Sequence, residues 1–153
     1  MKKSVVICIA IVYIASVVVI SFFGMKVAVY NKDIPVTSVA CINENDAERG
    51  VSISQNSKGE MVVSVKFTTP ADTSSGTPTG TILQLFTRVA PDNASNKDVK
   101  FVYTPNSNIE FYKIGDKENG LVLFYAAPVS MRVTIMADDG RNASTQIIIR
   151  SYI

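Results

Sequence analysis

The chain has no histidine, no tryptophan and only two cysteines in 153 residues. Without histidine it lacks the commonest general base near neutral pH and the commonest ligand for transition metals. A serine–histidine–aspartate triad is excluded outright. The absence of tryptophan weakens any reading as a stacked carbohydrate platform. Cys8 lies inside an apolar run and Cys41 well beyond it, so the two are not expected to pair.

Charge is also missing where it matters. Between Lys3 and Lys26 stand 22 uncharged residues, SVVICIAIVYIASVVVISFFGM. As a helix rising about 1.5 Å per residue they would span roughly 33 Å, close to the bilayer core of about 30 Å. Lys2 and Lys3 favour a cytoplasmic N-terminus, which would put the rest of the chain outside. A cleaved signal peptide is the rival reading. Its apolar core is usually about 7–15 residues with a small-residue cleavage site close behind. Here the run is longer, and Phe22-Phe23-Gly24-Met25-Lys26 has no such site. Ser38-Val39-Ala40 resembles one but comes late, which also weakens a lipid-modified Cys41.

Beyond Lys2, Lys3 and Lys26 the chain carries 12 basic and 13 acidic residues. That balance is no footprint for nucleic acid. Residues 27–153 are long enough to bury a core of their own.

After Lys26 the hydrophobic pattern has period two, the mark of half-buried strands. Strands are expected at Val36–Ile42, Val51–Ser54, Met61–Thr68, Ile82–Val89, Lys100–Tyr103, Ile109–Ile114, Leu121–Ala126, Met131–Met136 and Thr145–Arg150, with Val27–Tyr30 leading in. Asn56-Ser57-Lys58-Gly59, Gly115–Gly120 and Asp138-Asp139-Gly140 are expected to be the turns between them, since glycine tolerates the positive φ such turns need. Residues 70–80, rich in Thr, Ser, Gly and Pro, are expected to form an exposed, mobile loop. This many short strands at this spacing predict an antiparallel β-sandwich.

Val89-Ala90-Pro91-Asp92-Asn93-Ala94-Ser95-Asn96-Lys97-Asp98-Val99 and the strand after it resemble the bacterial Ig-like domain of group 2, the BIG2 or intimin/invasin-type module. In that family a Val-x-Pro-x-Asn-Ala-Thr/Ser-Asn-Lys-x-Val run leads into a strand with an aromatic, usually Trp. Here Phe101 holds that place. Gly120-Leu121-Val122, Met131–Ile135 and Asp138–Ser144 resemble the later part of the module, although Ala126–Ser130 replaces its usual glycine. The resemblance covers about residues 79–150. It implies an Ig-like sandwich used on bacterial surfaces in a structural, adhesive or glycan-binding role, and generally not an enzyme.

Few residues invite chemistry. Glu110, Asp116, Glu118, Asp138 and Asp139 could supply the paired carboxylates of a glycosidase, but they fall in or beside expected turns. Asn43-Glu44-Asn45-Asp46-Ala47-Glu48 is a run of oxygen ligands of the kind Ca²⁺ takes, without EF-hand spacing or its glycine. Asn93-Ala94-Ser95 and Asn142-Ala143-Ser144 are formal glycosylation sequons. In a bacterial protein, which the resemblance implies, they are expected to be turn residues bonding their own backbone. In the pairs Phe111-Tyr112 and Phe124-Tyr125, alternation should send one ring inward and one outward.

The expectation is an all-β protein: one transmembrane helix within residues 1–26, then an extracytoplasmic, antiparallel Ig-like β-sandwich over residues 27–153. It is a single-pass cell-membrane protein with a non-catalytic structural, adhesive or envelope-assembly role. The alternative is a subunit of a pilus-like filament packed through its apolar helix. Its partners are the lipid bilayer and a protein partner or second copy at the envelope, with no nucleic acid. No catalytic residue, cofactor or metal ligand is assigned.

Overall fold

The computed structural model describes residues 9, 11–18 and 33–153. Residues 9 and 11–18 are helical and exposed. Among the described residues no helix is long and apolar enough to cross a membrane. Most of the expected transmembrane span, and the expected strand Val27–Tyr30, lie outside the described residues.

The remainder is built from ten strands: β1 (Ser38–Cys41), β2 (Val51–Gln55), β3 (Met61–Lys66), β4 (Ile82–Gln84), β5 (Thr87–Ala90), β6 (Val99–Tyr103), β7 (Ile109–Ile114), β8 (Lys117–Phe124), β9 (Val129–Ala137) and β10 (Ser144–Tyr152). They form a five-stranded sheet in the order β2-β3-β10-β9-β6, a three-stranded sheet β4-β8-β7 and the pair β1-β5. The five-stranded sheet turns its odd-numbered residues inward. Val63, Val65, Val133, Ile135, Ile147 and Ile149 are all buried and share one core with Leu83, Ile109, Phe111, Val122 and Phe124 of the three-stranded sheet. β1 packs against β9 and β10, placing Val39 in the same core. The architecture is thus an all-β, two-layer sandwich. Each large side chain fully removed from water here stabilises it by about 1.5–3 kcal/mol before entropy is counted.

The structure corrects the expected antiparallel sheet at one pairing. β3 and β10 run parallel, with Met61 opposite Ile147 and Lys66 opposite Tyr152, while the other pairings are antiparallel. A parallel pair needs a long crossover, and here 80 residues of chain intervene between Lys66 and Ile147.

Three local expectations also change. The stretch Ile82–Val89 is two strands. β4 pairs with β8 and β5 with β1, and the chain changes partners at Leu85-Phe86. The hairpin loop expected at Gly115–Gly120 shrinks to the two residues Gly115-Asp116. Ile114 and Lys117 pair, and Gly115 supplies the turn with φ 64°. The turn at Asp138-Asp139-Gly140 is longer, running from Asp138 to Ala143, with both Gly140 (φ 77°) and Asn142 (φ 62°) in the left-handed region. The Asn56–Gly59 turn forms as expected. The Asn56 carboxamide oxygen accepts from the amides of Lys58 and Glu60, and Gly59 takes φ 77°.

Buried polar groups are few, and each has a partner among the described residues. The Thr81 hydroxyl donates to the Thr69 carbonyl and accepts from the Thr68 amide, Ser151 donates to the Ala126 carbonyl, and Ser64 accepts from Arg150 Nε at 2.7 Å.

Candidate functional site

A sandwich of two open sheets has two long sides where edge strands face water. An unpaired edge is a hazard, because its free N–H and C=O groups invite another chain. The two sides of this molecule handle it differently.

On the β6/β7 side, aromatic rings close the gap. Phe111 is buried, with Phe101 centred 5.0 Å away and Tyr103 stacked at 4.5 Å. The Tyr103 hydroxyl donates to Glu118 Oε1 at 2.9 Å, tying β6 to β8 across the layers. Burial and the neighbouring Glu118 carboxylate push the Tyr103 phenol up to about 12.

On the β2/β4 side, the run Asn43–Glu48 does the closing. Asn43 Nδ2 donates to the Gln84 carbonyl at 2.6 Å, and its Oδ1 accepts from the Phe86 amide at 2.8 Å. A primary carboxamide offers one donor and one acceptor side by side, as a peptide group does. Asn43 therefore stands in for a missing neighbour strand where β4 gives way to β5. Asn45 Oδ1 accepts from the Ile53 amide at 2.6 Å, and Asp46 exchanges both backbone hydrogen bonds with Val51, so the β2 edge is covered too. The Cys41 thiol, half-buried here, is pushed above its ordinary value by burial.

This run was the candidate Ca²⁺ site. The side-chain oxygens of Asn43, Asn45 and Asp46 accept from the backbone amides of Phe86, Ile53 and Arg49. Among the described residues no group of three or more His, Cys, Asp or Glu side chains gathers as a metal site would.

The capped edges leave a cleft of about 1050 Å³ between them. Three large apolar side chains on its walls stay open to water: Ile42 at 49%, Ile82 at 37% and Phe86 at 51% exposure. Exposed apolar side chains lining one cleft are the sort of feature that marks a contact surface. Period-two reading could have found it, because the alternation that buries Leu83 and Leu85 sends the apolar Phe86 outward.

Of the remaining candidates, Glu110, Asp138 and Asp139 have structural partners. Glu110 accepts from the Tyr125 hydroxyl at 3.0 Å, and Asp116 lies in the tight turn at the opposite end of β7 from it, so the two do not form a catalytic pair. Asp138 pairs with Lys100 at 2.7 Å. Asp139 accepts from the amides of Val36 and Arg141, which hold its carboxyl below the usual range. Phe111 and Phe124 point inward while Tyr112 and Tyr125 are only half-buried, as alternation requires.

Residues 91–98 clamp the chain where it joins the sandwich. The Ser95 hydroxyl accepts from the Ile34 amide at 2.8 Å, and the Ser95 amide donates to the Ile34 carbonyl at 3.0 Å. Asn96 accepts from the Asp98 amide and donates to the Asp138 carbonyl. The expected side-chain bonding to its own backbone thus falls on Asn96, whereas Asn93 makes no such bond. Residues 70–80 are mostly exposed, as expected, but Ala71 is buried and the segment is folded on itself. Asp72 and Thr79 pair, and the Tyr112 hydroxyl donates to the Gly76 carbonyl at 3.2 Å.

The fold and these contacts define the class, an all-β sandwich domain with a capped, partly apolar cleft at its β2/β4 edge. No protein-family model and no curated protein matches the chain.

Proposed function

We propose that the chain is a bacterial cell-envelope protein in which an Ig-like β-sandwich, held outside the membrane by the uncharged N-terminal run, has a non-catalytic structural or adhesive role. One observation carries the reading. Four polar side chains of the kinds that do chemistry are engaged in holding the sandwich together: Asn43 and Asn45 at sheet edges, Glu118 on Tyr103, Asp139 on Val36. The 91–98 run that resembles the bacterial module sits at the point where the chain joins the sandwich, where an anchored domain most needs a firm hold. A role then rests on surfaces rather than on a reaction centre.

Cell fractionation combined with protease added to intact cells tests it. The full-length chain belongs in the membrane fraction, with its domain degraded from outside. Full-length chain in the soluble medium, or a domain protected until lysis, would overturn the reading.

A second reading, the filament subunit, is favoured by the exposed Ile42, Ile82 and Phe86, which could take a neighbouring copy. Electron microscopy of sheared cell surfaces decides between them: a polymer containing this chain supports the filament, and its absence removes it.

A further inference from the structure

The outer face of the five-stranded sheet is built from the even-numbered residues of β2, β3, β10, β9 and β6. Not one of those positions on the strands is a carboxylate, and four are cations: Lys66, Arg150, Arg132 and Lys100. All four are exposed. The register places them in a line. Lys66 lies opposite Tyr152, two residues along β10 from Arg150, and Arg132 lies opposite Ile148, two residues along in the other direction. Lys100 lies opposite Met136, four residues beyond Arg132. With strands about 4.8 Å apart and about 3.3 Å per residue, the steps between Cα atoms are roughly 8, 8 and 14 Å. The cations therefore form one diagonal stripe crossing four strands.

Two of the four are partly compensated. Arg132 pairs with Glu60 at 3.0 Å, and Lys100 with Asp138 at 2.7 Å, both carboxylates lying beyond the strand ends. Lys66 and Arg150 make no ion pair among the described residues. Arg150 uses Nε on Ser64, which fixes its arm across β3. That arm covers Ser64, which is only 1% exposed although it points to the outer face. The guanidinium is thereby pre-positioned, which lowers the ordering cost of binding through its remaining N–H groups. Ser54, Ser130, Thr134 and Gln146 lie on the same face and supply neutral donors beside the stripe.

We infer that this face binds an extended anionic polymer of the cell envelope, a chain of polyol units joined by phosphodiesters, along the stripe Lys66–Arg150–Arg132–Lys100. A line of cations fits a repeating anion better than a single charged ligand. A guanidinium matches the geometry of a phosphate oxygen pair, and the hydroxyl and amide side chains suit polyol oxygens. The choice of polymer rests on the extracytoplasmic placement proposed above, but the binding chemistry does not.

The test is titration of the purified full-length chain, in nonionic detergent, with soluble poly(glycerol phosphate). Binding should saturate and weaken as salt rises from about 0.05 to about 0.5 M. Lys66→Gln and Arg150→Gln should each weaken it about tenfold, while Arg150→Lys retains part of it. Lys66 is exposed and bonded to no other side chain, so its variant tests the stripe even if Arg150→Gln disturbs the sheet. The inference is overturned by no binding, by equal binding of neutral dextran, or by affinity unchanged in Lys66→Gln. Tighter binding to phosphatidylglycerol vesicles or to single-stranded DNA than to the polymer overturns it as well. A failed titration leaves the fractionation result standing, and chain found in the medium leaves the titration standing.

Discussion

The two long sides of the sandwich solve one problem by opposite means. On the β6/β7 side the stack Phe101–Phe111–Tyr103 fills the gap with apolar surface and adds one hydrogen bond, Tyr103 to Glu118. On the β2/β4 side Asn43 and Asn45 cap backbone groups with carboxamides and fill nothing, so Ile42, Ile82 and Phe86 stay in water. Aromatic packing hides the edge; amide capping only satisfies it. The first side is therefore expected to carry stability, and the second to carry contact with a partner.

The largest expected effect lies on the packed side. Phe111→Ala should destabilise the domain by about 3–5 kcal/mol, since it removes a fully buried ring that touches both layers. Urea unfolding followed by circular dichroism measures this, and a loss below about 1 kcal/mol would break the contrast. Next comes Asn43→Ala, which leaves the Gln84 carbonyl and Phe86 amide without their partner. About 1–2 kcal/mol should be lost in the same titration, and a neutral result would mean that water replaces the amide at no cost.

The comparison was only half legible in the sequence. Alternation called for one ring inward and one outward in each of the pairs Phe111-Tyr112 and Phe124-Tyr125; the phenylalanines are buried and the tyrosines half-buried, because one core face imposes its period on every strand that crosses it. It could not show that Ile82–Val89 breaks in two. Nothing in Leu83-Gln84-Leu85-Phe86-Thr87 interrupts the pattern, and the break is marked by Asn43, about forty residues away in the chain. The same distance hid the Asn43–Glu48 run. Its oxygens suit a cation as well as an amide, and only the fold decides which of the two they meet. The parallel β3–β10 pair was out of reach for a related reason, since period two is the same for both strand directions. The 91–98 run was legible as a crossing between strands, but Ser95 and Asn96 reach Ile34 and Asp138, contacts that local pattern does not contain.

A smaller effect concerns pH. The amides of Val36 and Arg141 hold the Asp139 carboxyl below its ordinary value of about 3.9. A depressed carboxyl contributes stability that is present above that value and lost as pH falls through the lower folded value. Asp139→Asn should therefore flatten the acid side of the stability curve below about pH 4, with little change in shape near neutrality. An unchanged acid slope would show that the clamp on Val36 does not depend on charge.

The smallest effect is expected at the open cleft. Phe86→Ser should change stability by no more than about 0.5 kcal/mol, because the ring is already half in water. A loss above 1.5 kcal/mol in urea unfolding would mean that Phe86 packs in the core and that the two sides are alike.

Amide hydrogen exchange on the Asn43→Ala, Asn45→Ala double variant tests the contrast most directly. Losing the two carboxamides should deprotect the amides of Phe86 and Ile53 strongly while Val133 and Ile135, in the sheet centre, keep the protection they have in the parent chain. Unchanged protection at Phe86 and Ile53 would contradict the account, because those edges would then be held by something other than Asn43 and Asn45.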